Sequence, residues 1–366
     1  MDTRSWEAPD PSRARPAPTG ATCQTRPVDV LVCATQVPHM RGGLEQLVEG
    51  LVVALEAAGH RAEAVRIPAA WDRERLLDAP LAWRSVPLDA DVVIPVNFPA
   101  YYARHPRKVV WLAHQHRAAY DGIGQAWSDI GFDDDSLEVQ RQLTAWDTRA
   151  LDEAVARFTI SGVVSDRMAR FCGLDSEPLH HPPPLADRLA PSPIGDRIVS
   201  IGRLEANKRP GLLLDALGAA SAEVSGVLAG RGSQADALAA RAAAAGLDGR
   251  LEMPGYVSDN AVVDLLGDAR AVLYAPYDED YGYVTLQAFL AGRPVITTAD
   301  AGGVLEWVTD GETGIVTDGS PAELGAAVDR LAGDRDLAAR MGAAGRERAA
   351  ALGWPEVVER LLGAAG

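Results

Sequence analysis

Short runs of apolar and β-branched residues alternate with longer Ala- and Leu-rich segments from residue 28 to the carboxyl end. The runs contain few polar positions, which is typical of parallel strands buried on both faces. The longer segments have the spacing of amphipathic helices, the first at 44–60 and closed by Gly59. Strands are predicted at 28–35, 91–97, 108–113, 157–160, 197–202, 224–230, 250–256, 270–276 and 294–298.

A proline-rich stretch at 178–196 interrupts this alternation. Proline lacks an amide donor and fixes φ, so neither a helix nor a strand continues there. The pattern predicts two doubly wound α/β domains, 28–185 and 186–350, with a cleft between them as the binding place. Residues 351–366 read as a carboxyl-terminal helix, and the Pro-, Arg- and Ala-rich residues 1–27 as a disordered tail.

The charge of the chain narrows the classes of partner. Its 366 residues have a formal net charge of -16, which argues against nucleic acid because phosphate backbones bind basic faces. No apolar run reaches the ~18–20 residues that cross a bilayer, and the amino terminus lacks the apolar region of a secretory signal. The cysteines, Cys23, Cys33 and Cys172, show no paired spacing. This favours a reducing cytoplasm and leaves no zinc site.

The first chemical cluster is the strand, turn and helix of 201–217, where Arg203 and Lys208 occupy the turn. Open α/β sheets bind ligands at the carboxyl ends of their strands. Two cations beside a helix amino terminus can hold a diphosphate. The alternative is that both are solvated loop charges.

The second cluster is the turn Gly230-x-Gly232-x-x-Ala235, with Glu252 further along. It has the spacing of a dinucleotide-binding fingerprint. Two features oppose NAD or FAD binding. The turn follows the second strand of its domain, and the first turn already carries the Arg/Lys pair.

The third cluster is the loop DEDYGYV, 278–284, before the apolar helix TLQAFLA. Backbone amides of Tyr281, Gly282 and Tyr283 are expected to point into the cleft at the helix amino terminus, which suits an anion. Alternatively, Asp278 and Asp280 could hold a divalent metal, because Asp-x-Asp is a common oxygen-ligand spacing. The acidic run at 133–135 could do the same, or could simply begin a helix.

In their order and spacing these clusters resemble the retaining glycosyltransferases of family 4, the group 1 glycosyltransferases, which have the GT-B fold of two facing Rossmann-like domains. The resemblance covers nearly the whole chain after residue 28 and is most specific from 197 to 316. Its marks are Gly42-Gly43, GRLEANK (202–208), LAGRGS (228–233), PGYVSDN (254–260) and the stretch 279–308.

The resemblance implies a role for each matching position. Arg203 and Lys208 would hold the donor diphosphate, Glu279 the sugar hydroxyls, and His114 would lie near the reacting sugar and acceptor. Together these form the implied catalytic set. The implied nucleotide-sugar-binding set is Gly43, Gly202, Tyr256, Val257, Tyr281, Gly282, Tyr283 and Gln287.

Gln287 is the one departure from the family pattern, which has a second glutamate there to accept hydrogen bonds from the ribose. An amide still accepts from one hydroxyl and can also donate. The loss of a charge-assisted bond amounts to about 1 kcal/mol of affinity, so ribose binding is expected to persist. If the second acid takes part in the chemistry, the enzyme would be slow or inactive.

Family membership would imply a metal-independent, retaining transfer from a UDP- or GDP-sugar, with no cofactor. The acceptor is expected to be a soluble small molecule, as in bacterial specialised metabolism, bound by the amino-terminal domain near the loop 111–135. The last helix would cross back to that domain, with closure hinged at 178–196 and near 350. The alternatives are a nucleotide-sugar-binding regulator without turnover and a GT-B sugar-nucleotide epimerase.

Overall fold

The computed structural model describes residues 26–38, 41–69 and 73–366. The expected tail, 1–27, lies outside the described residues apart from Arg26 and Pro27, and so does Cys23. No helix in the described ranges is long and apolar enough to cross a membrane.

The amino-terminal domain is a layer of parallel strands with helices between them. Its strands run in the order β2-β1-β3 and β4-β5-β6, and isolated bridges from Val93 to Lys108 and from Asn97 to His114 join the two groups. The elements are β1 (Asp29–Gln36), α1 (Gly43–Ala57), β2 (Arg61–Pro68), α2 (Ala79–Ser85), β3 (Val92–Pro95), β4 (Val109–Leu112), α3 (Asp134–Asp152), β5 (Ala156–Thr159), α4 (Gly162–Cys172) and β6 (Glu177–Pro178).

The carboxyl-terminal domain is a second parallel sheet, in the order β12-β11-β10-β7-β8-β9. Its order reverses between β7 and β10, which places a crevice at their carboxyl ends. The elements are β7 (Arg197–Ile201), α5 (Gly211–Ala219), β8 (Gly226–Ala229), α6 (Ala235–Ala244), β9 (Leu251–Gly255), α7 (Asp259–Gly267), β10 (Ala269–Leu273), α8 (Tyr283–Leu290), β11 (Val295–Thr298), β12 (Gly314–Thr317), α9 (Pro321–Gly333), α10 (Arg335–Ala350) and α11 (Trp354–Gly363).

The predicted α/β class with two parallel-sheet domains is confirmed. Several of the predicted strands are buried along their whole length, such as β3, β4 and β10, whereas the predicted β9 is only partly buried. The pattern did not predict β2, because this edge strand exposes much of its length to solvent. The run 314–317 of β12 was also missed, since it is short and follows a polar turn.

The chain crosses between the domains twice. At the first crossing the Leu179 amide donates to Thr159 in the amino-terminal domain (2.8 Å), and the Trp111 indole donates to the Leu179 carbonyl (3.1 Å). Two residues later the His181 amide donates to the Tyr281 hydroxyl in the other domain (2.8 Å). The chain therefore passes from one domain to the other within three residues.

The second crossing joins α10 to α11. Helix α10 belongs to the carboxyl-terminal domain, where Gly345 lies against the ring of Phe289. Helix α11 packs on α1, and Trp354 fills the space beside Gly50, where an added Cβ would lie 2.5 Å from the indole. The last helix is thus part of the amino-terminal domain surface.

A buried carboxylate fastens the loops beside the cleft to α3. Asp147 is fully buried and accepts hydrogen bonds from the hydroxyls of Tyr102 and Tyr120. These tyrosines come from the segments after β3 and after β4. Burial raises the pKa of Asp147 to about 6, although the tyrosine hydrogen bonds lower it. One side chain therefore fixes two otherwise irregular segments.

We expect Asp147→Leu to reduce the free energy of unfolding by about 2–4 kcal/mol, because two buried hydroxyls lose their acceptor. Urea denaturation at neutral pH measures the change. Asp152→Asn, at an exposed position of the same helix, serves as the control and should be close to neutral. Equal stability of Asp147→Leu and the control would show that the two hydroxyls find other partners.

Candidate donor-binding cleft

The carboxyl ends of β7 and β10 bring together the predicted Lys208 and Glu279. Their ammonium and carboxylate groups form a direct ion pair, and each side chain is less than one-fifth exposed. The Tyr274 hydroxyl donates to Oε2 of the same carboxylate (3.0 Å). Burial first, and then the charge of Glu279, raises the pKa of Tyr274, so this hydroxyl stays a donor. The pair is thereby held in one position.

Arg203 lies on the same rim of the cleft but does not contribute a polar contact that stabilises the described part of the fold. It is exposed and makes no hydrogen bond or ion pair within the described ranges. Arg209, close by in sequence, is a structural contrast, because it binds Asp300 (2.7 Å) and the Pro276 carbonyl (2.8 Å). Arg203 is therefore a cation available to a ligand, whereas Arg209 ties the ends of two strands together.

Gly282 caps α8 in a left-handed conformation, φ +86, and an added Cβ would meet Val304 at 2.9 Å. Behind the loop, Gly302 and Gly303 pack against the backbone of 278–280. A Cβ on either would lie 2.7 Å from that backbone, and the Gly303 amide donates to the Glu279 carbonyl (2.6 Å). The glycine pair therefore supports Glu279 from behind.

Tyr281 and Tyr283 turn their side chains to the linker. The imidazole of His181 stacks on Tyr281, with ring centroids 4.4 Å apart, and its Nε2 is 2.7 Å from the Tyr283 hydroxyl. The Tyr281 hydroxyl donates to the His181 carbonyl. Burial lowers the pKa of His181 to about 3. This histidine of the proline-rich stretch is thus a neutral part of the domain interface.

Gly43 and His114 reach the cleft from the amino-terminal domain. A Cβ on Gly43 would lie 3.2 Å from the ring of Tyr283, so this glycine permits a close approach of the domains. His114 follows β4, and its Nδ1 is 3.1 Å from the Gln115 carbonyl. Burial lowers the pKa of His114, and the nearby carboxylate of Asp280 opposes that effect.

The remaining predicted positions lie on the rim of the carboxyl-terminal domain. Gly202 follows β7 and leaves open space where a side chain would be. Tyr256 is 67% exposed, with the Arg231 guanidinium 5.2 Å from its ring centre. Val257 is partly buried beside it. An exposed ring and an open backbone are accessible to a nucleotide.

Gln287 binds the linker. Its Nε2 donates to the Pro184 carbonyl (3.0 Å), and the residue is 8% exposed. A carbonyl only accepts, so the amide nitrogen must face it and the amide oxygen points elsewhere. A carboxylate could not make this bond. The departure from the family pattern therefore has a structural use that the sequence did not reveal.

Asp278 and Asp280 bind arginines of the opposite domain. Arg117 Nη2 lies 2.9 Å from Asp278, and Arg167 Nη2 lies 2.6 Å from Asp280. In the described parts of the chain, no group of three or more His, Cys, Asp and Glu is placed to hold a metal ion. Asp133, of the other acidic run, caps α3 through the Ser136 amide. The two candidate metal motifs thus have other partners.

The second glycine turn packs against the first. An added Cβ on Gly230 would lie 1.7 Å from the Gly202 carbonyl oxygen, and one on Gly232 would lie 2.3 Å from that of Leu204. The Ser233 hydroxyl donates to Glu205 (2.6 Å). These glycines therefore allow two turns to touch, which accounts for the fingerprint-like spacing without a dinucleotide.

Residues 193–348 match the family model described as glycosyl transferases group 1. The D-inositol 3-phosphate glycosyltransferase of Nocardia farcinica is 32% identical over 180 residues, which are 46% of this chain and 40% of that protein. The human alpha-1,3/1,6-mannosyltransferase ALG2 is 33% identical over 105 residues, 29% of this chain and 25% of that protein. The matched part is therefore less than half of each relative's length.

Solved structures resemble the chain over most of its length. Sucrose-phosphate synthase from Thermosynechococcus elongatus has a TM-score of 0.74 at 18% identity, covering 92% of this chain and 100% of that one. HepE of Anabaena, in complex with UDP-glucose, has a TM-score of 0.68 at 17% identity, covering 92% and 98%. At such identities the likeness concerns the fold. It confirms the GT-B architecture predicted from the sequence.

Gln287→Glu should lower the melting temperature at about pH 8, because an ionised carboxylate would then face the Pro184 carbonyl. The decrease in melting temperature should become smaller towards about pH 5, because the protonated carboxyl group can donate to that carbonyl. Gln287→Ala, which has no donor at either pH, is the matched control. Differential scanning fluorimetry across this range measures both. A pH-independent loss for Gln287→Glu would contradict the contact.

The buried His181 should also make the free energy of unfolding depend on pH. Its pKa is about 3 in the folded protein and about 6.5 in an unfolded chain, so the unfolded state binds more protons between these values. The free energy of unfolding therefore falls as the pH drops below about 6.5. His181→Gln should lose about 2 kcal/mol less than the parent between about pH 6.5 and pH 5.

Urea denaturation at several pH values measures this difference. An unchanged slope for His181→Gln would mean that the imidazole is not held neutral by the interface.

Proposed function

We propose, from the premise that residues 193–348 are a group 1 glycosyltransferase domain, that the protein transfers a sugar from a nucleoside-diphosphate sugar to a small-molecule acceptor. The observation that carries the proposal is the difference between two neighbouring cations. Lys208 is fixed by Glu279, whereas Arg203 has no ion pair in the described residues. The UDP-glucose complex of HepE, which has the same fold, supports a UDP-sugar as the first donor to test.

In this proposal the diphosphate lies against Arg203, Lys208 and the amino terminus of α8. Backbone amides at a helix start and two cations stabilise the charge that develops as the glycosidic bond breaks. Glu279 has a second carboxylate oxygen beside the one that accepts from Tyr274, and it can accept from sugar hydroxyls. His114 approaches from the opposite wall.

The transfer proceeds with retention by front-face substitution. The bond from the anomeric carbon to the phosphate oxygen breaks, the acceptor oxygen, nitrogen or sulfur bonds to the same face, and its proton passes to the departing phosphate. This route needs neither a protein nucleophile nor a metal. The Arg117 and Arg167 contacts of Asp278 and Asp280 support the metal-free form of the proposal.

Domain closure protects the donor from water. Tyr281 and Tyr283 bind the linker through His181, and Gly43 permits the amino-terminal domain to approach Tyr283. A closed cleft excludes water from the reacting centre and limits donor hydrolysis. Domain closure and the cations Arg203 and Lys208 therefore both favour transfer of the sugar to the acceptor.

Thermal shift with UDP, GDP, TDP, ADP and NAD, each with and without magnesium, tests the proposal. A diphosphate at about 100 times its Kd should stabilise the fold by about 2.7 kcal/mol, with no need for magnesium. Stabilisation by NAD alone, or by no nucleotide, would refute the assignment of Arg203, Lys208 and Glu279. Binding without hydrolysis or transfer would identify a regulator instead.

Arg203→Ala should weaken binding of the preferred nucleotide and lower kcat for the matching sugar nucleotide by about 100-fold or more, because a charge at the leaving phosphate is lost. Chromatography of released nucleoside diphosphate measures the rate. Arg149→Ala, at an exposed position of α3, is the control and should leave the rate unchanged. Equal rates for the two variants would exclude Arg203 from the reaction.

A further inference from the structure

Tyr274 connects the end of strand β10 to the carboxylate of Glu279. It directly follows Leu273, the last residue of β10, and its backbone amide donates to the Ile296 carbonyl of β11 (3.0 Å). The residue is 7% exposed, and its hydroxyl donates to Glu279 Oε2 (3.0 Å). The ring is therefore held between the sheet and the carboxylate.

The two oxygens of the Glu279 carboxylate have different partners. Oε2 accepts from Tyr274 and is also the oxygen that pairs with the Lys208 ammonium. In the part of the chain that the structure describes, Oε1 makes no hydrogen bond or ion pair. The Glu279 side chain is 16% exposed, so a ligand in the cleft can reach it. One oxygen is committed to the protein and the other is available to a ligand.

Tyr274 fixes the orientation of this carboxylate more firmly than Lys208 does. An ammonium on a flexible four-carbon stem acts as a point charge, so it can follow a carboxylate that turns. A phenol on a buried ring offers its donor from one place. Burial first, and then the charge of Glu279, raises the pKa of Tyr274, so the phenol keeps its proton. The direction of Oε1 therefore depends on the Tyr274 hydroxyl.

The ring of Tyr274 also contacts the turn at the start of α8. An added Cβ on Gly282 would lie 3.4 Å from Cε1 of this ring, and the charge of Arg203 reaches Tyr274. The ring therefore links the groups assigned to the diphosphate with the carboxylate assigned to the sugar. Its hydroxyl is bonded to Glu279 alone within the described ranges. Phenylalanine would keep the ring contact and remove only the bond to the carboxylate.

We propose, on the basis of the function proposed above, that Tyr274 is a positioning residue for sugar transfer, because its hydroxyl holds Glu279 Oε2 so that Oε1 accepts from a hydroxyl of the donor sugar. Tyr274 acts through Glu279 and does not itself contact the sugar. A carboxylate that is free to turn would hold the sugar in several orientations, and a misplacement of about 1 Å can slow a reaction about 100-fold. The contribution of Tyr274 therefore lies in the rate of bond cleavage and not in the affinity for the nucleoside diphosphate.

Tyr274→Phe tests the proposal, with UDP and UDP-glucose as the first probes. If thermal shift selects another diphosphate, that diphosphate and its hexose esters replace them. The kcat for release of the diphosphate should fall at least about tenfold, while KM changes by less than about threefold. The Kd for UDP, measured by isothermal calorimetry, should stay within about twofold of the parent value. A role in folding alone would change neither KM nor kcat per folded molecule.

Tyr277→Phe is the matched control. It makes the same chemical change three residues further along, at a ring 5.8 Å from the Arg209 guanidinium. The Tyr277 hydroxyl makes no hydrogen bond to any residue that the structure describes. This variant should keep kcat within about twofold of the parent. Equal kcat for the parent and Tyr274→Phe would overturn the proposal.

A double-mutant cycle separates positioning from an independent role. In Glu279→Ala the Tyr274 hydroxyl has no carboxylate to hold, so adding Tyr274→Phe should lower kcat no further. A second fall as large as that in the parent background would mean that Tyr274 acts without Glu279, and would also overturn the proposal. If the double variant does not fold, Tyr274→Phe and its control still decide the question.

The outcomes distinguish this inference from the proposed function. A parent protein that binds no nucleotide, or that turns over no donor, refutes the proposed function and this inference with it. A parent that turns over the donor at a rate that Tyr274→Phe fully retains refutes this inference alone.

Discussion

The rest of the cleft depends on the burial of one uncharged imidazole. His181 stacks on Tyr281 and contacts the Tyr283 hydroxyl, and burial of the ring disfavours its protonated form. Tyr283 is the first residue of α8, Tyr281 lies two residues before it, and Glu279 lies two residues before Tyr281. Domain closure and the position of the donor carboxylate are therefore linked through a few adjacent residues.

The two walls of the cleft use arginine in different ways. On the amino-terminal wall Arg117 and Arg167 form part of the domain interface. Each makes a charge-assisted hydrogen bond to an aspartate at a largely buried position. On the donor wall Arg203 is exposed to solvent. Its neighbour Arg209, by contrast, is hydrogen-bonded to backbone carbonyls and to Asp300. Sequence alone does not separate these roles, since all four look like basic residues in loops or on helices.

Much of the fold follows from sequence because strands buried on both faces leave a continuous apolar run, and because family motifs lie at the ends of those strands. The same reasoning assigned both Lys208 and Glu279 to the donor cleft, and the ion pair between them is seen only in the structure. It could not find the pairing of Arg117 with Asp278, which are 161 residues apart. It also missed Tyr274, which is hidden at the end of an apolar strand, and the linker contact of Gln287. Such contacts depend on how the two folded domains pack against each other, and a local sequence pattern does not predict that packing.

The short first crossing has a mechanical consequence. Leu179 is fastened to the amino-terminal domain and His181 to the other, so His180 is the residue left between the two anchors. The second crossing lies between Ala350 and Trp354, at the junction of α10 and α11. The two short crossings between the domains define a hinge axis. Opening of the cleft would then be a rotation about that line, with torsional change confined to a handful of backbone bonds.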